Sequence, residues 1–198
     1  AERPFDLTQG PLIRSTLLRL GEEDHVLLLT IHHIAFDGWS LSVLARELAT
    51  LYKAFCAVRP QPLPELPVQY ADYAHWQRQW LQGDVLQTQL SYWKRQLASV
   101  RVLDLPTDRP RPPVQTFRGA RQSLVLSSRL TEELKHLSRR EGVTPFMSLL
   151  AGFTTLLYGY TGQDDIAVGT FIINRNRAET EGLIGFFINN LVLRTDLS

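Results

Sequence analysis

The stretch from Val26 to Ala57 constrains the fold most strongly, because it predicts a strand, a short loop and a helix in immediate succession. Residues 26–31 carry no charge, which is typical of a strand buried on both faces. From residue 39 to 57, apolar residues recur at steps of three and four, which predicts one apolar stripe along a helix. The stripe consists of Leu41, Leu44, Ala45, Leu48, Leu51, Tyr52 and Phe55.

The loop between this strand and this helix holds two histidines, His32 and His33, followed by Asp37 and Gly38. Imidazole titrates near neutral pH, so it can accept or donate a proton during a reaction. An acid at this spacing can fix the local geometry, and a glycine permits close backbone approach. Ser40 stands where it can cap a helix that begins at Trp39.

Three interpretations of His32, His33 and Asp37 compete. A metal site is disfavoured, because adjacent histidines in a strand point to opposite faces and no other ligand cluster completes a set. A structural role, with buried histidines satisfied by hydrogen bonds, stays open. General-base catalysis of acyl transfer is favoured over it, since a nucleophile must lose a proton as it attacks a thioester and a positioned base contributes about 10²–10⁴ in rate.

Composition and charge argue against several kinds of partner and covalent structure. The formal net charge of +1 gives no overall field that would favour nucleic acid or membrane partners. The single cysteine, Cys56, excludes an intrachain disulfide, and its place in the helical pattern indicates that its side chain packs. Because no signal peptide or long apolar span is visible either, we expect a cytoplasmic protein. Basic residues cluster between positions 94 and 121, which indicates a solvated face rather than a docking patch for an acidic partner. They are Lys94, Arg95, Arg101, Arg109, Arg111, Arg118 and Arg121.

The remaining sequence predicts an α/β fold with mixed sheets and packed helices. Two proline-rich connectors, residues 58–68 and a second one around residues 106–113, exclude helix where they occur. Helices are expected at residues 69–82, 85–99 and 128–140, and a long buried helix from Pro145 to near Gly162. Strands are expected at residues 11–19, 117–126, 166–170 and 186–195, and a polar loop at residues 174–182. Both ends read like the interior of a domain, so we expect a piece of a longer protein.

Three motifs resemble one family. Residues 32–38 match the HHxxxDG signature of the condensation domains of nonribosomal peptide synthetases, and Trp39 and Ser40 fit its continuation. Residues 70–77 are similar to its YxDYAxWQ motif, and residues 184–194 to its (I/V)GxFVNTxxxR motif. The resemblance covers the whole chain. Asn190 stands where threonine is usual and Phe171 where proline is common, which puts the local loop structure in doubt.

The resemblance implies a chloramphenicol-acetyltransferase-like fold with two lobes and a tunnel between them. Residues 1–103 would be the C-terminal part of the N-lobe and residues 104–198 the N-terminal part of the C-lobe, within one truncated condensation domain. We expect the 198 residues alone to be inactive. The family binds no metal or cofactor on the domain itself; its substrates arrive on the phosphopantetheine of donor and acceptor carrier domains, beside an adenylation domain.

The same resemblance implies an acyltransferase that forms a peptide bond: an acceptor amine attacks a donor thioester near His33. His33, Asp37 and Gly38 would be the catalytic residues, His33 as base or as a group that positions the amine. Asp37 would hold the loop through an arginine, either Arg118 or Arg175. The supporting residues would be His32, Trp39, Ser40 and Asn189.

Three alternatives stay open: a catalytically silent docking domain, a stand-alone acyltransferase that uses acyl-CoA, and an epimerisation domain. The intact histidines and the Asp37–Gly38 pair argue against the silent domain. The continuation through Trp39 and Ser40 favours condensation over epimerisation, whose loop continues Val-Ser-Trp in that family.

Overall fold

Proline-rich segments divide the regular elements of this chain into groups. The structure is a computed structural model that describes residues 3–110 and 112–198, so Ala1 and Glu2 of the predicted first part and Arg111 of the basic cluster lie outside it. The segments 57–69 and 97–127 contain no helix or strand where they are described. The strand expected at residues 117–126 is therefore wrong: these residues are exposed, and no described strand pairs with them.

The predicted strand–loop–helix unit is confirmed. Strands β1 (Ile13–Arg19) and β2 (His25–Ile31) form an antiparallel hairpin in which Ile13 faces Ile31. A 3-10 turn (His33–Ala35) leads into helix α1 (Gly38–Cys56). The expected burial of β2 is wrong, because β1 is its one partner strand in the described chain and both faces of the pair stay open; Leu28 is 49% exposed.

The apolar stripe of α1 is also not buried along its length. Ser40 and Val43, in the first two turns, are its buried residues, whereas Phe55 near the C-terminal end is 84% exposed. The contacts that bury this helix are made at its N-terminal end, beside the histidine loop. Cys56 is exposed, so the packing role predicted for it is wrong.

Helices α2 (Tyr70–Trp80) and α3 (Gly83–Gln96) follow, close to the predicted bounds. The N-terminus of α2 is fixed by Asp72, whose carboxylate accepts the Gln69 N–H at 2.8 Å. Tyr73, Trp76 and Trp80 share one face of α2, with neighbouring ring centroids 5.8 Å and 5.7 Å apart. The rings of Tyr70 and Tyr73 in this helix contact the ring of Phe187.

Helices α4 (Ser128–Arg140) and α5 (Pro145–Thr161) match the prediction. The Thr144 hydroxyl caps α5 by accepting the Met147 N–H at 3.2 Å, and Gly162 ends it in the left-handed region. The expected burial of α5 is wrong: Thr154 and Leu157 are its buried residues, because the described chain packs mainly α4 against it.

The last elements are strand β3 (Asp165–Ile172), a short helix α6 (Ala178–Glu181) inside the predicted polar loop, and strand β4 (Asn189–Asp196), which pairs with β3. β4 begins three residues later than the predicted strand at 186–195. Side chains of other elements bind the backbone of residues 185–187, so that segment does not join the sheet.

The chain forms two compact units. The first runs through Leu90 and includes Phe171–Leu191, with Val43, Leu183 and Phe187 in its core; the second comprises Ser91–Thr170 and Val192–Ser198, with Leu157 and Ile166 buried. Residues 171–191 thus pack with the first unit. The assignment of 1–103 and 104–198 to two lobes stays a prediction.

In the second unit, Arg194 joins β4 to β3 and to the end of α3. Its guanidinium makes two bonds to Asp165, at 2.7 Å and 2.6 Å, and donates to the Gln96 and Ala98 carbonyls at 2.9 Å each. The hydrogen bond from Arg194 lowers the pKa of Asp165. Within the described residues, no single helix has the length and apolar character to cross a membrane, although α4 and α5 together, bent by 106°, pass on length and composition.

Candidate functional site

The two histidines of the loop have different surroundings. β2 ends at Ile31, so neither histidine lies in the strand, and the expectation that both lie in a strand and point to opposite faces was wrong. His32 Nδ1 accepts the Ile34 N–H at 3.1 Å, and the Phe5 ring meets the imidazole edge-on at 5.8 Å. Because Nδ1 accepts, the neutral His32 ring carries its proton on Nε2. His32 is therefore committed to holding the turn.

His33 is exposed and opens the 3-10 turn. Neither of its ring nitrogens hydrogen-bonds to any described residue, so both are available to a reactant. One aromatic neighbour is the ring of Phe186, which meets the imidazole at a centroid distance of 5.5 Å and an angle of 81°. The arrangement leaves His33 able to take or give a proton, which His32 at Nδ1 is not.

Asp37 is buried and caps helix α1. One of its carboxylate oxygens, Oδ1, accepts the Ser40 N–H at 2.8 Å and lies 2.7 Å from the Ser40 hydroxyl. The other, Oδ2, accepts the Phe187 N–H at 3.1 Å. Asp37 rather than Ser40 is thus the cap, so the capping role predicted for Ser40 is wrong; α1 begins at Gly38, and Ser40 lies inside its first turn.

The partner of Asp37 is Arg175. Their ion pair joins Nη2 to Oδ1 at 3.1 Å, and the two side chains are 2% and 0% exposed. Arg175 also donates to the carbonyls of Thr180 and Leu183 and lies 3.9 Å from the centroid of the Phe187 ring. Arg118, the other candidate, is exposed in the segment 97–127.

Two opposing effects set the pKa of Asp37. Burial works to raise the pKa, because a carboxylate is poorly solvated inside a protein. The hydrogen bonds from Ser40 and Phe187 and the charge of Arg175 outweigh burial, so the pKa lies below its ordinary value. Asp37 is therefore held as a carboxylate, which suits a fixed counter-charge and does not suit a proton carrier.

Ser40 connects this ion pair to Gly185. Its hydroxyl oxygen accepts the Gly185 N–H at 3.0 Å and lies 3.0 Å from Arg175 Nη2. Its one proton can go to Asp37 Oδ1 or to the Gly185 carbonyl, 2.9 Å away. Since Ser40 is fully buried, losing the hydroxyl would leave backbone groups of Gly185 without a partner.

We call residues 185–187 the Gly185–Phe187 segment. Ser40 binds its first residue, the Tyr70 hydroxyl donates to the Phe186 carbonyl at 2.8 Å, and Asp37 binds its last residue. A Cβ at Gly185 would lie 2.2 Å from a ring carbon of Tyr70. No role was predicted for Tyr70, Gly185 or Phe186; an isolated glycine in a strand-like run was the available signal of close approach.

The other predicted site residues are spread around this network. The Trp39 indole N–H donates to the Glu181 carbonyl at 2.9 Å, which ties α1 to α6. Gly38 is the first residue of α1 and has open space where a Cβ would stand, in contrast to Gly185. Asn189 is exposed at the start of β4, and its side chain accepts the Asn190 N–H; no described hydrogen bond joins it to His33.

No group of three or more histidine, cysteine, aspartate or glutamate side chains is arranged as a metal site across residues 3–110 and 112–198. The site consists instead of an exposed imidazole in contact with Phe186 and a buried ion pair whose Asp37 binds the next residue, Phe187. Such a construction can position a base and a backbone segment around a reactant.

Comparison with known proteins identifies the class. The profile of the condensation domain matches residues 1–198. The chain therefore belongs to the condensation-domain family.

Particular relatives come from peptide synthetases. The chain is 57% identical to a component of the linear gramicidin synthase of Brevibacillus parabrevis over 197 residues, which are 99% of this chain and 4% of that component. It is also similar to the X-domain from teicoplanin biosynthesis in its complex with OxyB, with TM-score 0.88, 33% identity, and coverage of 100% of this chain and 45% of that one. A four-domain nonribosomal peptide synthetase gives TM-score 0.79 and 26% identity over 99% of this chain and 15% of that one.

These similarities confirm the predicted α/β, chloramphenicol-acetyltransferase-like fold class and the resemblance carried by the three motifs. The chain spans a small fraction of the length of the gramicidin synthase component. The activity of that whole protein can therefore only be proposed for this chain.

Proposed function

We propose that this chain contributes the acid–base site of a condensation domain that forms a peptide bond in nonribosomal peptide synthesis. The observation that carries the proposal is the exposed His33, whose ring nitrogens bond to no described residue, four positions before Asp37, which is buried in its ion pair with Arg175. The family membership supports an amide-forming acyltransferase as the class of enzyme.

In the proposed reaction, the nitrogen of an acceptor amine bonds to the carbonyl carbon of a donor thioester, and the carbon–sulfur bond breaks. The proton that the nitrogen loses goes to a ring nitrogen of His33, or His33 orients the amine for attack; the leaving thiolate takes up a proton. A base within hydrogen-bond reach of the amine contributes about 10²–10⁴ in rate. The nucleophile is a substrate, so the site needs no serine or cysteine.

Asp37 has a supporting role in this proposal. Its lowered pKa and its burial beside Arg175 favour a permanent counter-charge that fixes the loop. Gly38 lies at the N-terminus of α1, where the first N–H groups have no acceptor in the helix. We assign its N–H to the carbonyl oxygen of the donor as negative charge develops there, which is the stabilisation that acyl transfer requires. Asn189 is assigned to substrate positioning on the family resemblance alone.

The partners follow from the family. Donor and acceptor carrier domains would present their thioesters on phosphopantetheine, and an adenylation domain would load the acceptor. The domain itself would hold no cofactor or metal, and we place it in the cytoplasm. We expect residues 1–198 alone to be inactive, in keeping with the open faces of the β1–β2 pair.

The test is a reconstituted condensation. The full-length protein that carries this chain is supplied with chemically loaded donor and acceptor carriers, and the acceptor carrier is analysed by intact-mass spectrometry. The expected result is an amide product on the acceptor and a free thiol on the donor. Failure to form that product with both carriers fully loaded would overturn the proposal.

One observation favours a second candidate, a docking domain without condensation activity. The X-domain from teicoplanin biosynthesis, which resembles this chain at TM-score 0.88, forms a complex with OxyB. Under this candidate the same reconstitution gives no amide, and replacement of His33 changes nothing that can be measured.

A further inference from the structure

The orientation of His33 requires an explanation, because no described residue hydrogen-bonds to its ring. Catalytic imidazoles are commonly oriented by a third group, such as a carboxylate that accepts one N–H. Asp37 does not do this: both of its oxygens are occupied by Ser40, Arg175 and Phe187. The orientation of His33 must therefore come from packing.

Phe186 supplies that packing. Its half-buried ring meets His33 in a T-shaped arrangement, at 5.5 Å between centroids. Aromatic rings prefer this geometry, because the positive edge of one ring faces the negative face of the other. The contact restricts rotation of the imidazole while leaving its nitrogens open.

The backbone of Phe186 is itself held on both sides. On the residue before Phe186, the Gly185 N–H donates to the Ser40 hydroxyl, and on the residue after it, the Phe187 N–H donates to Asp37. The Tyr70 hydroxyl donates to the carbonyl of Phe186 itself. These anchors lie in two different parts of the chain, the start of α1 and the start of α2, and each uses a side chain to fix backbone. The ring of Phe186 is therefore presented to His33 from a rigid support.

We propose that Phe186 is a positioning residue, whose ring sets the orientation of the His33 imidazole towards the acceptor amine. The inference rests on the proposed function of His33 and adds a group to that site. It assigns the Asp37–Arg175–Ser40 network a purpose: the network holds the segment from which Phe186 reaches the histidine.

The experiment compares Phe186→Leu with Phe186→Tyr in the full-length protein with loaded carriers. Leucine keeps apolar bulk but loses the aromatic edge, so we expect kcat to fall about tenfold or more with little change in KM, since small misplacements of a reacting group are costly. Tyrosine keeps the ring and is expected to retain kcat close to wild type. Phe171→Leu, at an exposed position on β3, is the matched control and is expected to leave kcat unchanged.

A second measurement reports on the contact between Phe186 and His33 independently of the condensation reaction. Hydrogen–deuterium exchange at the C2 carbon of histidine, followed by mass spectrometry of peptides, should change at His33 in Phe186→Leu and stay unchanged at the distant His25. Equal losses of kcat in the leucine and tyrosine variants, or unchanged exchange at His33, would overturn the positioning role.

The outcome separates this inference from the proposed function. If His33→Ala abolishes condensation while Phe186→Leu keeps full kcat, Phe186 is not a positioning residue and the proposed function stands. If His33→Ala keeps full activity, both claims are overturned.

Discussion

At the scale of single residues, the candidate site consists of one exposed imidazole and a buried support. His33 is exposed, whereas Asp37, Arg175 and Ser40 are buried and bonded to one another. Breaking a buried ion pair by removing one partner is costly, since the other charge is left without compensation. The support is thus expected to respond to mutation through stability, and His33 through rate.

Asp37→Asn tests the support through its pH dependence. The pKa of Asp37 is lower in the folded state than the ordinary carboxyl pKa of about 4, which applies to the unfolded chain. Between these two pKa values the unfolded chain binds more protons than the folded chain does, so acid reduces the free energy of unfolding. We expect the wild-type free energy of unfolding to be full above this window and to fall as pH drops through it. Asp37→Asn should lose about 3 kcal/mol near neutral pH, because Arg175 is left unpaired, and should depend less on pH within the window.

Denaturant titrations of the full-length protein at several pH values would measure this dependence, with Asp24→Asn at an exposed turn as the control. Unchanged stability together with lost condensation would show that Asp37 takes part in the chemistry and is not a support.

Ser40→Ala should destabilise the first unit by about 1–3 kcal/mol, the cost of leaving buried polar groups unsatisfied. The affected groups are the Gly185 backbone and one Arg175 nitrogen. Ser42→Ala, two positions along α1 on its exposed face, provides a control of the same chemistry and should be neutral. Urea unfolding followed by tryptophan fluorescence gives both values; equal midpoints for the two variants would contradict the role assigned to Ser40.

At the scale of elements, the Gly185–Phe187 segment depends on the contact between Tyr70 and Gly185. In Gly185→Ala the new Cβ would lie 2.2 Å from a Tyr70 ring carbon, so the ring must move and its hydroxyl loses the Phe186 carbonyl. We expect a loss of about 2 kcal/mol in stability, typical of overpacking, and a lower condensation rate.

Gly152→Ala is the matched control for this substitution. Gly152 lies inside α5 with open space at its Cβ position, so alanine should be neutral or should stabilise by up to about 1 kcal/mol through helix propensity. Thermal unfolding of both variants makes the comparison. A Gly185→Ala protein as stable as Gly152→Ala would refute the close contact.

Local signals predicted the helices well and the strands less well. Helices α4 and α5 carry their own start and stop signals, such as Ser127, Thr144 and Gly162, so their bounds could be predicted from sequence. A strand needs a partner, and none is described for residues 117–126. Residues 186–188 look like a strand, yet their backbone bonds to the side chains of Tyr70 and Asp37, which sequence periodicity cannot show.

At the scale of the whole molecule, the site depends on contacts between distant parts of the sequence. The motif predicted His33 and Asp37, but the choice between Arg118 and Arg175 could not be made, because Arg175 is 138 residues from Asp37. The contact between Phe186 and His33 was unpredictable for the same reason. Burial was overestimated for β2, Cys56 and α5, since periodicity shows which face is apolar and not what covers it.

The role proposed for His33 is the acid–base or positioning step of condensation. The most direct measurement is the single-turnover rate of amide formation in the full-length protein carrying His33→Ala, with loading of both carriers verified by mass spectrometry and with His25→Ala as the control. We expect a loss of about 10²-fold or more in His33→Ala at unchanged stability, and a normal rate in the control. A rate in His33→Ala within a fewfold of wild type would overturn the role proposed for His33.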